Sequence, residues 1–109
     1  MTEAIQIDAP PLRRDSSGAL RIGQSRVLLE LVVRSFEDGL TPESIVERYP
    51  ALALGDAYAA IAYYLHHRED MERYLAGREA RAAEVRQRIE HRQGELAELR
   101  ARLLARRDR

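Results

Sequence analysis

The clearest structural signal in the chain is the stretch Gly39-Leu40-Thr41-Pro42-Glu43-Ser44-Ile45-Val46-Glu47-Arg48-Tyr49-Pro50. Threonine is a favoured N-cap, proline fits the first helical position, and an acidic side chain in the first turn interacts favourably with the helix dipole. Pro50 disfavours continuation of the helix past the preceding residue. The stretch therefore predicts a short helix over Pro42–Tyr49, with Gly39 ending the element before it.

Apolar residues recur at helical spacing on both sides of this stretch. Before it they predict a first helix over Val27–Gly39, with one apolar face made of Leu28, Leu29, Val32, Val33 and Phe36. After it a third helix opens near Leu54, and its predicted buried stripe consists of Ala57, Tyr58, Ile61, Ala62 and Leu65. Three short helices joined by tight turns predict a tri-helical bundle, in which the second and third helices form a helix-turn-helix.

A short β-hairpin is predicted before the first helix. Leu20 and Ile22 alternate with Arg21, as in a half-buried strand, and the Asp15-Ser16-Ser17-Gly18 segment has the composition of a turn. Pro10-Pro11 imposes an extended conformation, so residues 1–11 are expected to form a flexible arm. Residues 12–75 are then predicted to form one domain, made of the hairpin and the three helices.

Four arginines lie on or beside this hairpin, namely Arg13, Arg14, Arg21 and Arg26. They are candidates for contacts with DNA phosphates, and the alternative is that they form only a solvated face of the hairpin. All 18 basic residues of the chain are arginine, which fits either codon usage in a G- and C-rich genome or selection for such contacts. Between residues 27 and 70, eight acidic residues outnumber three arginines, for a net charge of −5. A nucleic acid would therefore be attracted only at the flanks of the chain.

Residues 76–109 are predicted to form an extended helical tail. Helical periodicity continues without a breaker from His66 to about Arg107. In a heptad register that starts at Leu75, the positions facing a partner are mostly apolar and include Val85, Ile89, Leu96, Leu99 and Leu103. We expect these five, with Tyr63 and Tyr64 at the junction, to form an interface with a partner or with a second copy of the chain.

The residues that carry chemistry form no recognisable catalytic or metal-binding set. The chain has no cysteine, which excludes disulfides and thiolate metal sites. His66 and Asp70 share a helix face, but His91 is too far along the chain to complete a metal site with them. No serine has the strand-to-helix elbow or the histidine partner of a nucleophile. We therefore predict no enzyme activity, no cofactor and no metal.

The chain also carries no targeting signal that the sequence reveals. Its beginning lacks the apolar core of a signal peptide, and no apolar run approaches the length of about 18 residues that a transmembrane helix needs. A cytoplasmic protein with no membrane partner is the expectation.

Three segments of the chain share a motif pattern with a known family. They are Gly23-Gln24-Ser25-Arg26-Val27, then Gly39 to Pro50, and then Leu52, Asp56 and Ala59-Ala60-Ile61-Ala62-Tyr63-Tyr64-Leu65. These segments resemble a bacterial domain of unknown function numbered 433, over about Leu12–Leu75, with a departure at Gln24 and Ser25, where the family has Gly-Thr-Arg. The resemblance implies a homeodomain-like three-helix fold with a small β element. It also implies the antitoxin half of a toxin–antitoxin pair, whose toxin is a PIN-like RNA-cleaving nuclease.

These observations leave three functional hypotheses. The leading one is a non-catalytic interaction protein of antitoxin type, a homodimer whose tail neutralises a PIN-like ribonuclease. The second is a DNA-binding transcriptional regulator, which is compatible with the first if the protein represses its own operon. The third is a homodimeric coiled-coil scaffold that needs no other protein. The predicted fold is mainly α, with an N-terminal β-hairpin, a three-helix bundle and a long C-terminal helix.

Overall fold

The computed structural model describes residues 4–107 and confirms a mainly helical fold with a two-stranded N-terminal hairpin. Its elements, in chain order, are β1 Leu12–Arg14, β2 Leu20–Ile22, α1 Leu29–Glu37, α2 Pro42–Arg48, α3 Leu54–His66 and α4 Arg68–Arg107. The chain divides after Glu72 into two compact units. The N-terminal unit contains the hairpin, α1, α2, α3 and the beginning of α4, and the C-terminal unit contains the remainder of α4.

The hairpin is antiparallel, with Leu12 opposite Ile22 and Arg13 opposite Arg21. Its turn is held by one carboxylate. Asp15 Oδ1 accepts hydrogen bonds from the Ser17 amide at 2.9 Å, from the Ser17 hydroxyl at 2.7 Å and from the Ala19 amide at 3.0 Å. Its other oxygen, Oδ2, pairs with Arg21 Nε at 2.8 Å. The Ser17 hydroxyl and then Arg21 hold the pKa of the Asp15 carboxyl well below its usual range.

Acid is expected to destabilise this hairpin. Because the pKa of Asp15 is lower in the folded chain than in the unfolded chain, its contribution is complete above about pH 4 and is lost as the pH falls toward the folded value. Thermal unfolding of the wild type and of Asp15→Asn, followed from neutral to acidic pH, measures this contribution. We expect the wild type to be the more stable at neutral pH and the two midpoints to converge in acid. Parallel curves would contradict the assignment.

Helix α1 begins two residues later than the periodicity predicted. Leu28 is extended and forms an isolated antiparallel bridge with Arg21, so the chain follows the hairpin for one more residue before it turns helical. The predicted end is confirmed, since Gly39 has a φ of +96°, in the left-handed region that favours glycine.

Helix α2 has the predicted N-terminus. The Thr41 side chain accepts a hydrogen bond from the Ser44 amide at 3.2 Å, and Pro42 occupies the first helical position. The helix ends at Arg48, and Tyr49 follows as its C-cap.

The core of the N-terminal unit forms where α1, α2 and α3 pack against one another and where β2 packs against α1 and α3. The buried apolar residues are Ala19, Leu20, Ile22, Leu29, Val32, Val33, Ile45, Leu52, Ala57, Ala60, Ile61, Tyr64 and Met71. Ser35 is buried with them, and its hydroxyl donates to the Leu31 carbonyl oxygen at 2.9 Å, so its polar group is satisfied within the helix. The hairpin is therefore part of the core through Leu20 and Ile22.

The predicted buried stripe of α3 is wrong in part. Ala57 and Ile61 are buried as expected, but the other buried residues are Ala60 and Tyr64. Ala62 and Leu65 are exposed, and the exposed fraction of Tyr58, which was predicted to lie in the core, is 49%. The helix is rotated relative to the prediction because Tyr64 packs inward. The hydroxyl of Tyr58 donates instead to the carboxylate of Glu43 on α2, which lowers the pKa of that carboxyl.

The predicted continuity of the helix across His66 is also wrong. His67 has φ −129° and ψ 45°, which ends α3 and lets α4 begin at Arg68. The His67 ring stacks on Tyr63 with a centroid separation of 4.1 Å, and His67 Nδ1 lies 3.0 Å from the Tyr63 carbonyl oxygen. These contacts fold the His67 side chain back over the last turn of α3.

Gly23 is the position where backbone freedom and close packing coincide. Its φ is +58°, and a Cβ atom there would clash with Asp56 Oδ2 and lie 3.3 Å from Asp56 Cγ. Gly39 is a matched control, because its φ is also positive but an added Cβ would have no neighbour within 4 Å. We expect Gly39→Ala to cost about 1 kcal/mol of stability for backbone strain alone, and Gly23→Ala to cost up to about 1 kcal/mol more, because the Asp56 carboxylate must turn away from the new methyl group. Denaturant unfolding measures both, and a smaller loss for Gly23→Ala than for Gly39→Ala would contradict the close approach.

Candidate partner-binding surface

Most of the large exposed apolar side chains of α4 follow one line along the helix, and Leu104 is the exposed leucine beside it. The α4 seam is defined by the a and d positions of the heptad register, which are Leu75, Arg78, Ala82, Val85, Ile89, Arg92, Leu96, Leu99, Leu103 and Arg106. The five large apolar residues predicted for an interface, Val85, Ile89, Leu96, Leu99 and Leu103, have exposed fractions between 47% and 58%. Every side chain from Glu84 to Arg107 is exposed. Their apolar area is therefore available to another molecule.

Local interactions support α4 as a helix. Glu69 and Asp70 lie in its first turn and Arg106 and Arg107 in its last turn, where each charge complements the helix dipole. Ion pairs one turn apart join Arg68 to Glu72, Arg88 to Glu84 and Arg102 to Glu98, and His91 Nε2 lies 3.0 Å from Glu95 Oε1. All of these side chains are more than half exposed, so each contact contributes little to stability. No helix among residues 4–107 is both long and apolar enough to cross a membrane.

The two tyrosines predicted for the interface are in different environments. Tyr63 is half-buried and stacks on His67. Tyr64 is only 1% exposed, so its prediction as an interface residue is wrong. Its side chain packs toward α1, where its hydroxyl donates to Glu37 Oε1 at 2.6 Å.

A small polar network surrounds the Tyr64 hydroxyl. Arg68 Nη2 donates to it at 3.3 Å, and the Arg68 guanidinium lies 5.3 Å from the centre of the Tyr64 ring. The hydrogen bond to Glu37 and then burial raise the pKa of the Tyr64 phenol. The network joins α1, the end of α3 and the start of α4, so it stabilises the N-terminal unit rather than forming a free surface.

Two of the hairpin arginines are hydrogen-bonded to backbone carbonyls. Arg13 donates from Nε to the Gly23 oxygen at 2.9 Å and from Nη2 to the Ser25 oxygen at 2.7 Å. Arg14 Nη1 donates to the Gly18 oxygen at 3.1 Å. Both side chains are exposed, but these hydrogen bonds fix their guanidinium groups against the turns of the hairpin.

Arg21 and Arg26 complete the predicted DNA-binding set. Arg21 pairs with Asp15 and also donates to the Arg26 carbonyl oxygen, while the Arg26 side chain is exposed. The register places Arg13 and Arg21 on the same face of the hairpin. Contact with DNA through this set stays a prediction, and the guanidinium groups of the other three members, unlike that of Arg26, are hydrogen-bonded within the described residues.

Sequence reasoning missed a cavity between the N-terminal arm and α3. The cavity has a volume of about 550 Å³. Its lining comprises Asp8, Ala9, Pro10, Pro11, Asp56, Ala59, Ala62, Tyr63, His66 and His67. The extended conformation imposed by Pro10-Pro11 was the available signal, but nothing local indicates that the arm follows α3. No group of three or more potential metal ligands comes together in the part of the chain that the structure describes.

The model of a known family, described as "Protein of unknown function (DUF433)", matches residues 16–64. These residues run from the hairpin turn through α1 and α2 to Tyr64 on α3. We call residues 16–64, which match the model of this family, the DUF433 segment. The DUF433 segment thus contains most of the core of the N-terminal unit, whereas the α4 seam lies outside it. Searches of curated proteins and of solved structures give no match. The homeodomain-like arrangement implied by the family resemblance stays a prediction.

Proposed function

We propose that the chain is a non-catalytic interaction protein that binds another protein through α4. The observation that carries the proposal is the α4 seam, whose five large apolar side chains are about half exposed. An amphipathic helix that presents anchors at this spacing is a common element for binding in an apolar groove of a partner. Because these residues are exposed in the single chain, the apolar area that they bury on binding is a net source of affinity.

We further propose that the partner is a PIN-like ribonuclease and that the chain is the antitoxin of a bacterial type II pair. This part rests on the resemblance of the DUF433 segment to antitoxin-like domains. In such a pair the antitoxin blocks the nuclease by binding, which requires an exposed docking element and no catalytic residues of its own.

A binding and inhibition experiment tests the proposal. Affinity capture from nuclease-treated host lysate uses the full chain, the seam variant Leu96→Ser/Leu99→Ser, and the control variant Ala97→Ser/Ala101→Ser on other faces of the same turns. We expect the full chain and the control to capture a stoichiometric protein that cleaves RNA when released, and to inhibit it on re-addition. The seam variant is expected to do neither. Capture of a protein without ribonuclease activity would overturn the antitoxin assignment.

The hairpin supports a second candidate function, DNA binding, through the arginine pair on one face and the exposed Arg26. Replacement of Arg26 by alanine is expected to weaken duplex binding and to reduce its salt dependence, because one phosphate contact is lost. Arg48→Ala, which removes an exposed arginine at the end of α2, is the control. Duplex binding that is unchanged in a variant lacking Arg13, Arg14, Arg21 and Arg26 would exclude this route.

A further inference from the structure

The charges beside the α4 seam are distributed unevenly around the helix. Two sets of heptad positions flank the seam. The e positions, on one side, are Glu79, Arg86, Gln93, Arg100 and Arg107, and the g positions, on the other side, are Arg81, Arg88, Glu95 and Arg102. They hold six arginines and two glutamates, for a net charge of +4. The seam itself adds Arg78, Arg92 and Arg106. The opposite face carries the remaining acidic residues of this stretch, Glu84, Glu90 and Glu98.

The ion pairs within α4 do not cancel this charge, because the e and g positions hold six arginines and only two glutamates. Arg86 pairs with Glu79 at 3.1 Å, Arg88 with Glu84 at 2.6 Å and Arg102 with Glu98 at 4.0 Å, and all of these contacts are exposed and weak. Arg92 lies in the middle of the seam between two apolar anchors, and none of the ion pairs among residues 4–107 involves it. A molecule that covers the apolar residues must therefore also accommodate a positively charged border.

A second copy of the chain is a poor occupant for this seam. In a parallel pair, g residues face the e residues of the next heptad, which places Arg81 against Arg86 and Arg102 against Arg107 of the other copy. Only Glu95 meets an opposite charge, at Arg100. In an antiparallel pair the e positions face the e positions of the other copy and the g positions face its g positions. Each of these two sets carries a net charge of +2. Like charges therefore face each other in both orientations, which destabilises a homodimer.

The shape of the apolar area also disfavours a lipid surface. A helix that lies on a membrane buries a broad apolar face. The α4 seam is only as wide as the a and d positions, and Arg78, Arg92 and Arg106 interrupt it. The arginines beside the seam would attract an anionic surface, so the narrowness of the apolar face, and not its charge, argues against a lipid occupant.

We infer that the occupant of the α4 seam is a different protein, with an apolar groove or stripe that is bordered by aspartate and glutamate. Its apolar part receives Val85, Ile89, Leu96, Leu99 and Leu103. Its carboxylates pair with the arginines of the e and g positions and with Arg92. This inference rests on the proposed role of α4 in binding and specifies the chemistry of the partner.

Two synthetic coiled-coil peptides of about four heptads provide a probe of known chemistry. Both have leucine at a and d, and one has glutamate at e and g whereas the other has lysine. Each peptide repels itself at neutral pH, so it is available for a hetero-pair. Binding to the full chain is followed by fluorescence anisotropy at two salt concentrations. We expect the acidic peptide to bind at least about tenfold more tightly than the basic one, and added salt to reduce the difference.

Charge-matched variants identify the side of the helix that matters. Arg86→Gln/Arg100→Gln/Arg102→Gln removes positive charge beside the seam, and Gln87→Glu/Ala97→Glu/Ala101→Glu changes the net charge by the same amount away from it. The first variant is expected to lose about tenfold in affinity for the acidic peptide, and the second less than about threefold. Circular dichroism verifies that both remain helical.

Three outcomes would overturn the inference. They are equal binding of the two peptides, self-association of the full chain that is lost on Leu96→Ser/Leu99→Ser, and seam-dependent binding to anionic lipid vesicles. The peptide assay contains no nuclease, so its result is independent of the antitoxin assignment. Selective binding of the acidic peptide together with failure to capture a ribonuclease would support the inference and reject that assignment.

Discussion

Replacing Ile22 by alanine is expected to lower the free energy of unfolding of the N-terminal unit by about 3 kcal/mol. Ile22 is fully buried on β2, the strand that packs against both α1 and α3. Its truncation removes apolar contacts and leaves a cavity between the hairpin and two helices. A small domain has a free energy of unfolding of only about 5 kcal/mol, so this single substitution removes most of the stability of the N-terminal unit.

Thermal unfolding followed by circular dichroism measures this effect. A loss of this size lowers the midpoint by roughly 10–20 °C in a domain of this length. Leu12→Ala is the control, because Leu12 is the cross-strand partner of Ile22 and is only half-buried. We expect it to cost less than half as much. A loss for Ile22→Ala as small as that for Leu12→Ala, at about 1 kcal/mol or less, would mean that the hairpin does not share the core of the helices.

Replacing Tyr64 by alanine is expected to be at least as damaging, at about 3–5 kcal/mol. The ring is the largest fully buried side chain of the described residues, and its hydroxyl donates to Glu37 on α1. The substitution removes the ring and leaves the Glu37 carboxylate without this donor. We therefore expect little folded N-terminal unit at physiological temperature, measured by protease resistance and by chemical denaturation.

Two further variants separate the contributions of the ring and the hydroxyl. Tyr64→Phe keeps the ring and is expected to cost about 1–2 kcal/mol, the usual consequence of losing one hydrogen bond to a charged group. Tyr63→Ala, at the half-buried neighbouring position, is expected to cost less than Tyr64→Ala. If Tyr64→Phe proved neutral, the hydrogen bond to Glu37 would have no energetic role.

The parts of the fold that depend on local chemistry could be predicted from the sequence. Thr41 and Pro42 predicted the start of α2 because a cap acts within one helical turn. Gly39 predicted the end of α1 because only glycine adopts the left-handed conformation without steric strain. The hairpin followed from the turn residues after Arg14 and from the alternation around Arg21. In each case the deciding interaction lies within a few residues of the signal.

The rotation of α3 depended on tertiary contacts and could not be predicted in the same way. The helix is apolar on most of its circumference, so two stripes satisfy helical spacing, one through Tyr58 and one through Tyr64. The choice between them depends on Glu37, which is 27 positions away from Tyr64 in the chain. The end of α3 at His67 was missed for a related reason, because neither proline nor glycine marks it.

The candidate surface also has a part that could be predicted from the sequence and a part that could not. The exposed anchors of the α4 seam followed from the heptad spacing, because a helix without close neighbours keeps its sequence periodicity. The environments of Arg13, Arg14 and Arg21 did not follow from it. Their carbonyl and carboxylate acceptors become neighbours only when the hairpin closes, so the sequence showed four positive charges without showing that three were already hydrogen-bonded.

The absence of buried side chains in α4 from Glu84 to Arg107 also bears on the lifetime of the protein. This part of the helix is held by its own hydrogen bonds and by weak surface ion pairs, and Gly94 lowers its helical stability further. Such a segment opens locally without unfolding of the core, and a protease cleaves a chain in its opened form. A partner bound to α4 would prevent this local opening and the cleavage that follows it. Free and occupied molecules would then differ in their rate of degradation, so the amount of free protein would follow the supply of its partner.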